Sequence, residues 1–174
     1  MRKLTWDEIY AQRAASPNRQ QERLPIVTLV ENVRSMHNVG SIFRSSDGAR
    51  LRHLYLTGFT PAPPRPEIEK TALGATESVP WSFRRDAVET ARQLKREGYQ
   101  LLVVEQTTDS VPYFKADVRF PLCLIMGNEV DGVSDPLVQL ADQAIDIPML
   151  GMKHSLNVSV AYGIVLYGMV AKYL

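Results

Sequence analysis

The sequence is short of several things that would narrow its function at once. Of its 174 residues only Cys123 is a cysteine, so no intrachain disulfide can form. It sits in the apolar run Leu122-Cys123-Leu124-Ile125-Met126, where a buried, inert thiol of a reducing compartment is expected. Histidine is nearly as scarce: there are His37, His53 and His154, and no His, Cys or Asp spacing matches a zinc or two-metal ligand set, so no metal is assigned. An excess of one charge is missing too. Twenty Lys+Arg face 19 Asp+Glu, a net +1, which argues against nucleic-acid binding by bulk attraction alone. No apolar run reaches the ~20 residues of a membrane span. Residues 156–171 come nearest, but they include Asn157, Ser159 and two glycines, and a buried helix is expected there. The first eight residues turn acidic without an apolar stretch, unlike a signal peptide, and a cytoplasmic protein is expected. Dinucleotide, P-loop and serine-hydrolase glycine motifs are also absent; Gly127 and Gly132 have P-loop spacing, but no Lys-Ser/Thr follows.

What is present reads as one folded unit. The chain is 45% hydrophobic, and at this length folding buries roughly 70% of the surface that the unfolded chain exposes. Thr5-Trp6-Asp7-Glu8 is a capping box opening a short helix to about Ala15, ended by Ser16-Pro17-Asn18. Residues 1–24 are thus a helix and tether before a domain over 25–174. Apolar, β-branched runs at 26–30, 54–56, 101–104, 121–126 and 144–147 are strands buried on both faces. Between them lie a helix from Asn38 toward Arg50, with Val39, Ile42, Phe43 and Ala49 inward, and one over 86–97 with Asp86 as cap, Glu89 at the box position and Gly98 at its end. A last helix runs from about Ser155 to the C-terminus. The alternation predicts an α/β fold, a mostly parallel sheet with helices on both faces.

Ligands of open α/β sheets sit beyond the carboxyl ends of the strands. Three loops there are polar. In the first, residues 31–44, Asn38 and Ser41 are cap and first-turn residues, Gly40 lets another backbone or a phosphate approach, and Arg44 lies near the loop mouth or on a solvated helix face. In the second, residues 127–134, Gly127 suits close approach to a flat ligand, and two carboxylates suit a cation, a sulfonium or an amine. In the third, residues 149–159, Asn157 and Ser159 lie past the cap of an oily helix, where a buried amide needs partners. The near-zero charge also conceals a gradient: residues 1–100 hold 16 basic and 11 acidic residues, residues 101–174 hold 4 and 8.

In order along the chain, Asn38-Val39-Gly40-Ser41-Ile42-Phe43-Arg44, Ile125-Met126-Gly127-Asn128-Glu129-Val130-Asp131-Gly132-Val133 and Ser155-Leu156-Asn157-Val158-Ser159-Val160-Ala161 resemble the three signature motifs of the SpoU/TrmH-type branch of the SPOUT RNA methyltransferases. Ala72-Leu73-Gly74-Ala75 is similar to a turn of that family. The resemblance implies a C-terminal deep trefoil knot, S-adenosyl-L-methionine (AdoMet) as methyl donor, an RNA ribose 2′-hydroxyl as acceptor, and a homodimer whose first- and last-motif helices meet. It implies cofactor contacts at Glu105, Gln106, Gly127, Ile147 and Leu156, and catalytic roles for Arg44, Glu129, Ser155 and Asn157. Asn32, Arg34 and Asn38 fall on the substrate side, with Glu129 and Asn157 expected to hold Arg44 and the hydroxyl. Without an added RNA-binding domain ahead of residue 25, tRNA is favoured over rRNA. A catalytically silent, dimeric RNA-binding protein of the same fold is the alternative.

Overall fold

The computed structural model describes residues 1–15 and 22–174; the expected helix stop at Ser16-Pro17-Asn18 lies outside them. Among the described residues seven strands form one sheet: β1 (Leu24–Glu31), β2 (Leu51–Thr57), β3 (Trp81–Arg84), β4 (Gln100–Val104), β5 (Val111–Pro112), β6 (Leu122–Met126) and β7 (Gln143–Asp146). Their order is β3-β2-β1-β6-β4-β7-β5, and every pair is parallel. The helices are α1 (Trp6–Ala15), α2 (Met36–Gly48), α3 (Pro66–Ala72), α4 (Ala75–Ser78), α5 (Ala87–Arg96), α6 (Asp135–Leu140) and α7 (Val158–Tyr173).

Alternation along the central strands divides the core in two. Ile26, Val30, Leu122 and Leu124 face α2, α3, α4 and α7, whereas Val27, Leu29, Cys123 and Ile125 face α5 and α6. Cys123 is fully buried, as its apolar run predicts, and burial pushes its thiol well above the usual range. At the centre of the larger layer, the Tyr162 hydroxyl lies 3.1 Å from Thr28 Oγ1 and 2.7 Å from Ser46 Oγ, joining α7 to β1 and α2.

The capping box at Thr5 forms as expected, with Thr5 N–H donating to Glu8 Oε2 (2.8 Å) and Glu8 N–H to Thr5 Oγ1 (3.3 Å). Asp86 caps α5 by accepting from Glu89 N (2.9 Å), but the Glu89 carboxylate meets Arg96 instead of reaching back. Two helix starts differ from expectation. α2 begins at Met36 with Ser35 as cap, and α7 begins at Val158 with Asn157 as cap. β3, β5, α3, α4 and α6 are additional to the elements the sequence pattern predicts. Leu73 (φ 50°) and Gly74 (φ 84°) make the tight turn between α3 and α4 at the family-like Ala72–Ala75 segment. No described helix is long and apolar enough to cross a membrane.

Candidate functional site

The carboxyl ends of β1, β6, β4 and β7 lie side by side, and the segments after β6, β4 and β7 line a cleft of about 500 Å³. Met126, Ile147, Leu156 and Ala161 make part of its lining apolar, while Glu105, Glu129, Asp131 and Asp146 bring carboxylates to it. The cleft is built largely by the segment after β6. Asn128 and Gly132 exchange backbone hydrogen bonds (2.9 and 3.1 Å), and Asn128 Oδ1 accepts from Val130 N (2.7 Å) and Asp131 N (3.1 Å), closing a tight turn. A Cβ on Gly127 would lie 2.2 Å from the Gly132 carbonyl carbon. That glycine therefore serves the turn's own backbone, where the sequence reading gave it to a flat ligand. Glu105 lies over the same turn, accepting from Val133 N (2.9 Å) and Gln106 N (2.8 Å). Buried Glu31, at the end of β1, accepts from Ser134 N (2.9 Å) and Ser134 Oγ (2.7 Å) at the start of α6, a favourable place for a carboxylate.

One chain of hydrogen bonds ties the three polar loops together. The Glu129 carboxylate accepts from Arg34 N (2.9 Å), Ser35 N (3.0 Å) and Asn38 Nδ2 (2.9 Å). Asn38 Oδ1 accepts in turn from Asn157 Nδ2 (3.0 Å), and Asn157 Oδ1 accepts from Ser159 N (2.9 Å) and Ser159 Oγ (2.7 Å). Partial burial pushes the Glu129 carboxyl up, but the donors from Arg34, Ser35 and Asn38 outweigh it and hold it below its ordinary value. Glu129 is thus an ionised anchor for the loop ahead of α2. A parallel link runs from Asn128 Nδ2 to the Asn32 carbonyl (2.7 Å), and Gln106 Nε2 donates to the His154 carbonyl (2.5 Å).

With two motif loops lining the cleft and the first hydrogen-bonded to both, the profile of the SpoU rRNA Methylase family matches residues 25–167. The chain belongs to this family. Among SpoU relatives, a tRNA (guanosine(18)-2′-O)-methyltransferase of Aquifex aeolicus is 33% identical over 85% of this chain, which spans 70% of that protein. A 23S rRNA (guanosine-2′-O-)-methyltransferase of Vibrio parahaemolyticus is 32% identical over 84% of this chain, which spans 59% of it. The crystal structure of an AdoMet-bound rRNA methyltransferase from Sinorhizobium meliloti superposes with a TM-score of 0.79 at 28% identity, covering 88% of this chain and 58% of that one.

The SpoU cleft gathers most of the residues singled out from the sequence. Glu105, Gln106, Gly127, Ile147 and Leu156 line it, as do Glu129, Ser155 and Asn157. Asn32, Arg34 and Asn38 lie behind it, in and after the β1 loop, joined to it through Asn128 and Glu129. Arg44 is not brought in. It is the ninth residue of α2, exposed, outside the lining and without a hydrogen bond or ion pair among the described residues. Glu129 and Asn157 therefore hold Asn38 and the loop ahead of α2, where the sequence reading had them hold Arg44. Asn157 is exposed and caps α7, which corrects its expected place past the cap. Gly40 faces protein: a Cβ there would lie 2.0 Å from Thr71 Oγ1 and 2.3 Å from the Ile68 carbonyl oxygen, so close packing of α2 on α3 explains it. Sequence reasoning missed Asn128 and Asp146 as lining residues. Asn128 carried a signal, a polar residue directly after a fully buried strand; Asp146, inside an expected strand, carried none.

Proposed function

We propose that this chain is an AdoMet-dependent RNA methyltransferase acting on a ribose 2′-hydroxyl, with tRNA as the favoured acceptor. The observation that carries the reading is the Glu129–Asn38–Asn157 chain, which binds all three motif loops to the mouth of one cleft. The residues present fit the cofactor. A 500 Å³ cleft lined by Met126, Ile147 and Leu156 suits an adenosyl group, and the carboxylates of Glu105, Asp131 and Asp146 suit its cationic end. Bound AdoMet supplies an activated methyl group, so the protein's work is to position the ribose and manage the hydroxyl proton. Glu105, Gln106, Gly127, Ile147 and Leu156 hold the cofactor in this reading. Glu129, Ser155 and Asn157 set the mouth of the site, with Asn32, Arg34 and Asn38 carrying the substrate-side loop.

The role of Arg44 is to orient the ribose-phosphate and stabilise the developing alkoxide. Its place outside the cleft of a single chain favours a homodimer in which α2 and α7 meet a second copy, so that two chains complete each site. The exposed stripe Val160, Ile164 and Tyr167 on α7 supports that assembly. The trefoil knot is proposed from the family, and the strand order, with β6 between β1 and β4, is compatible with it. That the Aquifex relative and the Escherichia coli one are both tRNA (guanosine(18)-2′-O)-methyltransferases favours tRNA. The lone buried Cys123 fits a cytoplasmic setting.

The test is incubation with total RNA and labelled AdoMet, followed by mapping of the product nucleoside. A 2′-O-methylated nucleoside from the tRNA fraction is expected. A methylated base would overturn the reading, and AdoMet binding without product would favour the silent RNA-binding alternative. Arg44→Ala is expected to slow transfer about 100-fold with cofactor affinity retained; near-normal transfer would remove Arg44 from the mechanism.

A further inference from the structure

Past the cleft, the carboxyl-end rim of the sheet continues outward from β1 to β2 and β3. The register pairs Glu31 with Thr57 and Thr57 with Arg84. At ~4.8 Å per strand, Arg84 stands about 10 Å from the base of the first-motif loop. Between them the chain turns through Gly58, Phe59 and Thr60, and Phe59 is 61% exposed. The turn that displays this ring is held firmly. Phe59 N–H donates to Asn32 Oδ1 (3.1 Å) and Thr60 N–H to the Thr57 carbonyl (3.2 Å). Thr60 Oγ1 donates to the Val30 carbonyl (3.2 Å) and accepts from Val33 N (3.1 Å). Gly58 has φ +66°, and a Cβ on it would lie 1.9 Å from Asn32 Oδ1, so the turn is seated on the Asn32 side chain.

A large apolar ring is therefore kept in water on a rigid support, directly beside the loop bearing Asn32 and Arg34. Arg34 follows β1, Arg84 ends β3 in register with Thr57, and Arg85 comes next; all three are exposed and form no ion pair among the described residues. A fixed aromatic face on a rim that also carries unpaired guanidinium groups is the chemistry that receives a single RNA strand, with a base on the ring and phosphates on the arginines.

We propose that Phe59, with Arg84 and Arg85, is a recognition surface for the strand flanking the target nucleotide, Phe59 stacking on an unpaired base. The inference rests on the methyltransferase reading above. It is tested by the anisotropy of a fluorescein-labelled single-stranded 16-mer RNA, with AdoMet affinity and melting temperature measured alongside. Phe59→Ala is expected to weaken RNA binding about 5- to 100-fold, Phe59→Trp to restore it and Phe59→Leu not to, with AdoMet affinity and melting temperature as in wild type. The Arg84→Ala/Arg85→Ala double variant is expected to weaken binding and to make the salt slope shallower by about 1.4, at ~0.7 per phosphate contact.

If the wild-type protein methylates total RNA while Phe59→Ala binds the 16-mer equally well, this surface is wrong and the enzymatic reading stands. Full binding by Phe59→Leu would likewise overturn stacking. If wild type binds AdoMet but neither binds nor methylates RNA, the enzymatic reading falls and takes this one with it. Loss of RNA binding accompanied by a change in sedimenting mass would make Phe59 a subunit contact and overturn the proposal.

Discussion

The hydroxyl of Tyr162 lies where water does not reach, between Ser46 and Thr28, and Ser46 passes the link on by donating to the Ile42 carbonyl (2.8 Å). Burial pushes the phenol up to about 12, against the opposing pull of the Ser46 and Thr28 hydroxyls. An unfolded tyrosine titrates near 10. A folded value above the unfolded one gives stability that is complete below about pH 10 and lost as pH rises toward about 12. Tyr162→Phe is expected to cost about 1–2 kcal/mol in urea unfolding at pH 7 and to flatten the alkaline fall in melting temperature; an unchanged alkaline slope would count against it. The site shows what single residues reveal in sequence. Glu129, Asn38 and Asn157 were legible as polar residues beside apolar runs, and roles were assigned to them only through the resemblance of their motifs. Their partners were not, since Glu129 is held partly by the backbone N–H groups of Arg34 and Ser35, which any residue could offer.

Elements show the same division. β1, β4 and β6 are legible as unbroken apolar runs because both of their faces are covered. β3 and β5 are edge strands. The Trp-Ser-Phe-Arg composition of β3 and the two-residue Val-Pro of β5 carry no such pattern, and proline is tolerated only where one side of the ladder is free. The start of α2 was misread for a different reason. Asn38 and Ser41 are cap-type residues, but Glu129 binds the N–H groups of Arg34 and Ser35 from another loop and fixes the start upstream, where Ser35 accepts from Asn38 N (3.3 Å). The α2–α3 contact gives a prediction with an internal control. Gly40→Ala would drive a methyl group against Thr71 and the Ile68 backbone, and this overpacking outweighs the gain in helix propensity; a net loss of about 1–2 kcal/mol is expected. At Gly163, on α7, the nearest atom to an added Cβ is Ser45 Oγ at 3.7 Å, an ordinary contact, so Gly163→Ala is expected to stabilise by up to about 1 kcal/mol. Denaturant midpoints of the two variants moving in the same direction would refute the packing argument.

For the molecule as a whole, the net charge of +1 concealed its distribution. Arg34, Arg84 and Arg85 lie on one rim of the sheet, while Glu105, Glu129, Asp131 and Asp146 surround the cleft next to it. The assembly proposed above makes its own forecast. Sedimentation is expected to give a mass near twice 19.6 kDa, and Ile164→Glu, in the exposed α7 stripe, to give the monomer with loss of methyl transfer; a wild-type monomer with full activity would sink it. The place of β6 has a consequence for how the chain comes into being. β1, β2 and β3 are complete by residue 84 and β4 by residue 104, yet the strand that joins the two halves ends only at Met126. During synthesis the oily edge of β1, from Ile26 to Val30, therefore waits unpaired while about a hundred further residues emerge. An exposed edge of that kind recruits other strands, so the growing chain is most prone to aggregate before β6 has left the ribosome.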